Sequence, residues 1–291
     1  MPPTRRVLLA NALATPALAT PALACGKLRI ADLPLTFVDG YPTIPAALAG
    51  QPVTFILDTG AQAMLITPEA AATLTLPLAG LTRIYGTGGS QQARLVRLPG
   101  LRLGGAPMPD LTAPVAPLPL DFHTVPPFAG LLGAALLARF DLELDAPAHR
   151  VTLWAPDTCE PPGTTLPVEV SRAGEPFLQV RVNGQPLLAL IDTGSRATLL
   201  DQRAARRLGL SAPISANTAR GVDGERQSLE HTTIRLAMGP LHETDTPVSI
   251  SPLQLEHGDM LLGMDVLARR PFFLAYSRQR LTLGAQPGPS P

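Results

Sequence analysis

Two triplets carry most of the chemistry that can be read from this sequence. Asp58-Thr59-Gly60 and Asp192-Thr193-Gly194 each close an apolar run of strand length, residues 53–57 and 187–191. A carboxylate is an acid–base group. Ionised, it takes a proton; protonated, it gives one; two together can activate water. Composition alone gives any one such triplet roughly a 5% chance of appearing in a chain of this length. The plainer reading is a turn, since Asp and Gly are common turn formers. A turn, however, does not require the same three residues twice after a buried strand.

Other reactive constellations are missing or scattered. His123, His149, His231, His242 and His257 are dispersed, with no His-Glu-x-x-His and no Cys-x-x-Cys, so no metal site is expected. There is no Gly-x-Ser-x-Gly elbow and no P-loop. Gly86-Thr87-Gly88-Gly89 lacks the spacing of a dinucleotide loop, and no helix pattern follows it. No cofactor is therefore expected. The 23 basic and 23 acidic residues balance, so no basic field points to nucleic acid.

The aspartates sit in a duplicated frame. Phe55-Ile56-Leu57-Asp58-Thr59-Gly60-Ala61 returns as Ala189-Leu190-Ile191-Asp192-Thr193-Gly194-Ser195, 134 residues on. Gly86-x-x-Gly89 returns as Gly221-x-x-Gly224, Leu131-Leu132-Gly133 as Leu261-Leu262-Gly263, Leu137-Ala138-Arg139 as Leu267-Ala268-Arg269, and Val151-Thr152-Leu153 as Leu281-Thr282-Leu283. Blocks repeated in one order at so long a period suit two similar lobes and not a solenoid. The chain divides into a leader, 1–24, a first lobe, 25–157, and a second lobe, 158–291. The Pro-rich stretch 155–163 is the hinge.

The elements that position the triplets read as strands. The 33 prolines argue against a helical bundle, and 45% hydrophobic residues supply a core. Asn183-Gly184 between two apolar runs signals a hairpin. Thr67-Pro68 and Asp201 each start one short helix, and Gly209 ends the second. Residues 83–98 read as another hairpin, with Tyr85-Gly86-Thr87-Gly88-Gly89 at its tip, where glycine permits left-handed backbone and motion. Trp154 ends a strand at the lobe edge. The Pro-rich segment 106–128 is expected as a surface loop over the first lobe.

These residues resemble the aspartic proteases of the pepsin and retropepsin group, whose motif is an apolar pair followed by Asp-Thr-Gly-Ser/Ala. In that group a later apolar-apolar-Gly completes each lobe, as Leu131-Leu132-Gly133 and Leu261-Leu262-Gly263 do here. The resemblance covers residues 28–285, and the lobe size is closer to bacterial retropepsin-like domains than to pepsin. It implies an all-β fold of two β-barrel lobes about a pseudo-twofold axis, with the cleft between them. It also implies that Asp58 and Asp192 are a catalytic pair holding one proton, because two facing carboxylates cannot both ionise cheaply, as is known for the aspartic-protease dyad. A water between them would attack the scissile carbonyl. Thr59 and Thr193 would brace the loops, and Gly60 and Gly194 would allow close approach beneath the carboxyls. Ser195, opposite Ala61 in the first copy, would donate to Asp192 and make it the more acidic member. Tyr85, with Gly86 and Gly88, would form a flap closing over substrate; the second copy has Arg220 near that place. The implied function is a cofactor-free aspartic endopeptidase acting on peptide or protein, with no nucleic-acid partner. It would be a monomer with an internal pseudo-dimer, or a dimer pairing lobes between chains. The alternative is a catalytically silent peptide-binding module of the same fold.

The N-terminus has the pattern of an export signal: Arg5-Arg6, an apolar run from Val7, and Ala22-Leu23-Ala24. Residues 4–9 resemble a twin-arginine signal, and a plain Sec signal carrying two arginines is the other reading. Removing the leader leaves 21 basic against 23 acidic residues. The expected location is periplasmic or secreted. Cleavage after Ala24 would put Cys25 first, and membrane attachment is expected only if that cysteine is lipidated, although Ala22-Leu23-Ala24 is a poor lipobox. Cys25 and Cys159, the only cysteines, are either a disulfide or two thiols.

Overall fold

The structure, a computed structural model, describes residues 28–285 apart from 87–88, 119–127, 211–213, 221–225, 242, 254 and 256. The leader, Cys25 and Gly88 therefore lie outside the described residues. The chain is all-β, with two barrel lobes about a pseudo-twofold axis and a few very short helices.

The first lobe opens with β1 (Arg29–Pro34) and β2 (Thr36–Val38), then the hairpin β3 (Tyr41–Leu48) and β4 (Gln51–Leu57). After the Asp58 loop come β5 (Leu65–Ile66), α1 (Pro68–Thr73), the hairpin β6 (Leu78–Gly86) and β7 (Gly89–Arg97), then β8 (Arg102–Leu103), β9 (Ala106–Pro107) and β10 (Thr112–Val115). It closes with β11 (Gly130–Leu132), α2 (Ala134–Leu137), β12 (Asp141–Asp145) and β13 (Arg150–Trp154). The second lobe runs β14 (Thr164–Val170), β15 (Pro176–Val182), β16 (Gln185–Ile191), β17 (Leu199–Asp201), α3 (Gln202–Arg207), β18 (Ile214–Arg220), β19 (Arg226–Ala237) and β20 (Thr244–Ser251). It ends with β21 (Met260–Leu262), α4 (Met264–Leu267), β22 (Phe272–Ala275) and β23 (Arg280–Leu283).

In the second lobe β15-β16-β21-β17-β20-β19 close into a six-stranded ring through pairing of β15 with β19. The first lobe uses the same order, β3-β4-β11-β5-β10-β7, but closes differently. There Pro99 offers no N–H and Gly100 turns left-handed (φ 63°), so the strand breaks after Arg97. The short β8 resumes it and pairs with β3 at Ala46↔Leu103. One correction to the sequence reading concerns residues 106–128. That segment is not a surface loop throughout, because β10 is an inner strand between β7 and β5, with Ala113 fully buried. Its prolines misled because Pro114 can sit in a strand whose side chains face the core.

The lobes share a floor of six strands, β1-β13-β12-β22-β23-β14. At its centre β12 pairs with β22 at Leu142↔Leu274, Glu143↔Phe273 and Leu144↔Phe272. Under the 130-residue repeat Glu143 and Phe273 are equivalent, so the pseudo-twofold axis passes through that pair. Leu142, Leu144, Phe272 and Leu274 are buried here and join the two lobes into one apolar core. Burying each such side chain stabilises by roughly 1.5–3 kcal/mol. The connecting stretch is tied down: Asp157 N–H donates to Ser277 Oγ (2.9 Å), and Arg278 Nη2 donates to the Asp157 carbonyl (2.8 Å). Cys159 is disulfide-bonded. Trp154 ends β13, and its indole N–H donates to Glu143 (2.8 Å).

Candidate active site

Both aspartate loops start where a buried central strand stops, and the Leu-Leu-Gly strand beside it sets their depth. The Asp58 N–H donates to the Leu132 carbonyl (3.0 Å), and the Asp192 N–H to that of Leu262 (3.1 Å). Behind the first loop, the N–H groups of Ala134 and Ala135 in α2 donate to the carbonyls of Ala61 (2.7 Å) and Gln62 (3.0 Å). In the second lobe Met264 and Asp265 of α4 hold Ser195 (2.8 Å) and Arg196 (3.1 Å) in the same way. First-turn amides have no partner inside their helix, so the loops supply one. A Cβ at Gly133 would lie 2.1 Å from the Ala63 carbonyl, and one at Gly263 2.5 Å from that of Ala197. That crowding is the reason the motif ends in glycine.

The threonines lock the loops together. Thr193 Oγ1 accepts from the Thr59 N–H (3.0 Å) and donates to the Leu57 carbonyl (2.7 Å). Thr59 Oγ1 accepts from the Thr193 N–H (3.1 Å) and donates to the Ile191 carbonyl (2.6 Å). Both threonines are fully buried, so each lobe satisfies backbone groups of the other.

Above this grip the aspartates meet. A Cβ on Gly60 would lie 2.5 Å from Asp192 Cγ, and one on Gly194 2.2 Å from Asp58 Cγ. Each carboxyl therefore rests on the glycine of the opposite triplet, which no other residue could replace without displacing it. Asp58 Oδ1 accepts from the N–H groups of Gly60 (3.0 Å) and Ala61 (2.9 Å). Asp192 Oδ1 is buried with no hydrogen-bond partner. Burial raises the Asp58 pKa to about 6 against the pull of those two amides. Asp192 is raised well above the usual carboxylate range, by burial first and by the charge of Asp58 next. The N–H groups of Gly194 and Ser195 pull Asp192 the other way, and the pair titrates as one unit.

The hydrogen bond expected from the Ser195 hydroxyl to Asp192 is not made. The hydroxyl donates to the Ala197 carbonyl (2.7 Å) and not to Asp192, so it does not favour the charged form of that carboxyl. The flap hairpin is present as β6 and β7, with Tyr85 opposite Ser90 and Gly86 opposite Gly89. The Tyr85 side chain and Gly88 lie outside the described part of the structure. In the second lobe Arg220 stands opposite Arg226 in the matching hairpin.

Several residues by the dyad escaped the sequence reading. Tyr276, at the end of β22, is buried with an unpartnered hydroxyl whose pKa is pushed up by burial and by the charge of Asp58. Arg196 and Gln62 each stand four positions after an aspartate and reach the other lobe, at Asp39 and Glu175. Tyr41 lies under Arg196 and has its pKa raised by burial. The signal was available: Asp39-Gly40-Tyr41-Pro42 and Ala173-Gly174-Glu175-Pro176 match at the same 134-residue offset as the aspartates.

A duplicated barrel, reciprocal threonines and two carboxyls on one axis define the scaffold of a two-lobed aspartic protease. Comparison with known proteins agrees. The aspartyl protease family profile matches residues 44–136, and that of the gag-polyprotein aspartyl proteases matches residues 178–269. The chain is 32% identical over 111 residues to Protein DDI1 homolog 1 of Bos taurus and 29% to Protein DDI1 homolog 2 of Homo sapiens. It is 27% identical over 110 residues to DNA damage-inducible protein 1 of Chaetomium globosum. Each match covers 37% of this chain, and 27%, 27% and 24% of those relatives respectively, so about a quarter of their length. The chain belongs to the retropepsin-like aspartyl protease family, with two copies of the domain in one polypeptide.

Proposed function

We propose that this chain is an exported aspartic endopeptidase that hydrolyses peptide bonds within a single polypeptide, without a cofactor. The observation that carries the proposal is the pair of buried carboxyls seated on each other's glycines, both raised by burial and so able to hold one proton between them. Asp58, ionised, is the base. It takes a proton from a water lying between the carboxyls as the water oxygen attacks the scissile carbonyl carbon. Asp192 hydrogen-bonds the carbonyl oxygen and passes its proton to it as negative charge develops there, giving a tetrahedral diol. The tetrahedral diol then collapses: the C–N bond breaks, the leaving nitrogen takes the proton from Asp58, and Asp192 recovers its own. Thr59 and Thr193 hold the two loops in place throughout and touch no reacting atom.

The substrate is a peptide or protein in extended form, laid across the seam between the lobes, with the β6–β7 hairpin and Tyr85 above it. The export reading rests on the leader sequence. The test is cleavage of a diverse peptide library by the wild type and Asp58→Asn from acid to neutral pH, with a statine-type mimic added. We expect wild-type cleavage that Asp58→Asn abolishes and the mimic blocks. Tight peptide binding with no cleavage at any pH would leave the silent peptide-binding module instead.

A further inference from the structure

Beside the dyad the lobes touch through two equivalent contacts that carry different charge. The turns Asp39-Gly40-Tyr41 and Ala173-Gly174-Glu175 match, with both glycines left-handed (φ 84° and 92°). Each is reached by the residue four places after the opposite aspartate. Arg196 Nη1 pairs with the Asp39 carboxylate (2.9 Å), and its guanidinium carbon lies 5.2 Å from the centre of the Tyr41 ring. A Cβ on Gly40 would touch Arg196 Cδ at 3.2 Å, so the arginine stem lies flat on that turn. In the other contact Gln62 Nε2 donates to Glu175 Oε1 (3.2 Å), and Ser171 Oγ donates to Glu175 Oε2 (2.9 Å). The first contact is a cation against an anion. The second is a carboxylate held by neutral donors alone, and among the described residues no cation pairs with it. Arg172, on the same turn, is exposed.

A cleft with true twofold symmetry would bind a peptide equally well in both chain directions, because the axis exchanges the two sides of the scissile bond. Direction is set only by what the two lobes do not share. Gln62 and Arg196 lie two residues beyond the glycines that seat the carboxyls, so these contacts stand on opposite sides of the pseudo-twofold axis beside the dyad. Asp39 pairs with Arg196, whereas among the described residues no cation pairs with Glu175.

We propose that Glu175 selects peptides carrying a lysine or arginine on one defined side of the scissile bond, the side lying along the second lobe's turn, and so fixes the direction in which substrate binds. The inference rests on the proteolytic reading of the same site. Complementary charge gives specificity and register more than raw affinity.

The test uses short fluorescent peptides with a reduced, uncleavable central amide, in which one lysine or its glutamine counterpart is moved through positions on either side. Binding to the full-length protein is read by anisotropy as the ratio of the two dissociation constants, which does not depend on the folded fraction of a variant. We expect the wild type to prefer lysine on one side only, by about tenfold, and Glu175→Gln to bring the ratio close to one. Asp39→Asn, which uncovers Arg196, should add a preference for glutamate on the opposite side. A wild-type ratio near one, a preference on both sides, or a preference surviving in Glu175→Gln would overturn the proposal. The same peptides with an ordinary amide report on hydrolysis separately. If the one-sided preference appears and no cleavage does, the proteolytic reading fails while the role of Glu175 stands.

Discussion

The two lobes are alike where they meet and unlike where they face outward. At the axis the matching is close: reciprocal threonine bonds, reciprocal glycine seats, and a floor strand paired with its own equivalent. Away from it the first lobe breaks a barrel strand at Pro99-Gly100 where the second runs β19 unbroken. The lesson concerns which parts tolerate change. A residue on the axis contacts its own counterpart, so altering one copy leaves the other without its partner. A residue off the axis contacts only its own lobe and can drift. Glu175 and Arg196 stand at the border between these regimes, which is where a symmetric frame can acquire direction.

The largest expected effect comes from breaking the dyad in one lobe only. Asp58→Asn and Asp192→Asn should each lower kcat/KM by at least about a thousandfold, since removing a general acid–base group costs roughly 10²–10⁴-fold and these two act as a unit. The double variant should be no worse than either single one. Losses that multiply in the double variant would mean that the carboxyls work separately.

The grip should show the same symmetry in stability. Thr59→Val and Thr193→Val each remove a hydroxyl that satisfies a buried amide and a buried carbonyl of the other lobe. Each should lower unfolding free energy by roughly 1–3 kcal/mol, and by similar amounts. Urea denaturation of the pair measures this. A large cost in one lobe with none in the other would show that the grip is borne by one side.

Titration tests the shared proton of the dyad. Below about pH 6 Asp58 takes up a proton, the dyad holds two, and no base remains. The kcat/KM of the wild type should therefore fall about tenfold per pH unit below that value. The sign for stability is the opposite. A carboxyl whose pKa is raised by folding stabilises the fold fully below its unfolded value, and that contribution is lost as pH rises through about 6. Asp58→Asn has no such loss, so its melting temperature should rise relative to wild type between pH 4 and pH 7, by an amount corresponding to on the order of 1–3 kcal/mol. A difference that stays flat across that range would place the proton elsewhere.

Much of this architecture could be read in the sequence because it is written twice. The Asp-Thr-Gly and Leu-Leu-Gly blocks, the Asn183-Gly184 turn and the caps Thr67 and Asp201 are local signals, each fixed by the backbone geometry of a few neighbouring residues. What the sequence hid depends on orientation and on distance along the chain. Ser195 has the residue type to donate to Asp192, but its hydroxyl turns to Ala197. Tyr276 is 218 residues from Asp58 and carries no motif, yet it is buried in the same core and feels its charge. Pro114 is the opposite case, a breaker by type that sits in an inner strand because its neighbours Ala113 and Val115 are buried.

The smallest effect tests the drift of the outer turns. Both β3–β4 and β15–β16 are joined by two left-handed residues, Ala49-Gly50 (φ 49° and 76°) and Asn183-Gly184 (φ 51° and 81°). This is the mirror-type turn that suits the twist of paired strands, and it favours asparagine first and glycine second. Alanine has no side-chain group to compensate the contact of its Cβ with the backbone at positive φ, whereas asparagine adopts that region several times more readily. Asn183 gains further from its side chain, whose Oδ1 accepts from the Arg235 N–H (2.9 Å). Ala49→Asn should therefore stabilise the first lobe by about 0.5–1 kcal/mol, and Asn183→Ala should destabilise the second by slightly more, because it also frees that amide. Thermal melts of the two variants and of the double variant would check this. The two changes should add, since the turns lie in different lobes and share no partner. An Ala49→Asn variant no more stable than the wild type would mean that the bond from the residue 49 N–H to the Pro99 carbonyl (3.0 Å), which both residues make, already holds the turn and that alanine's preference does not limit it.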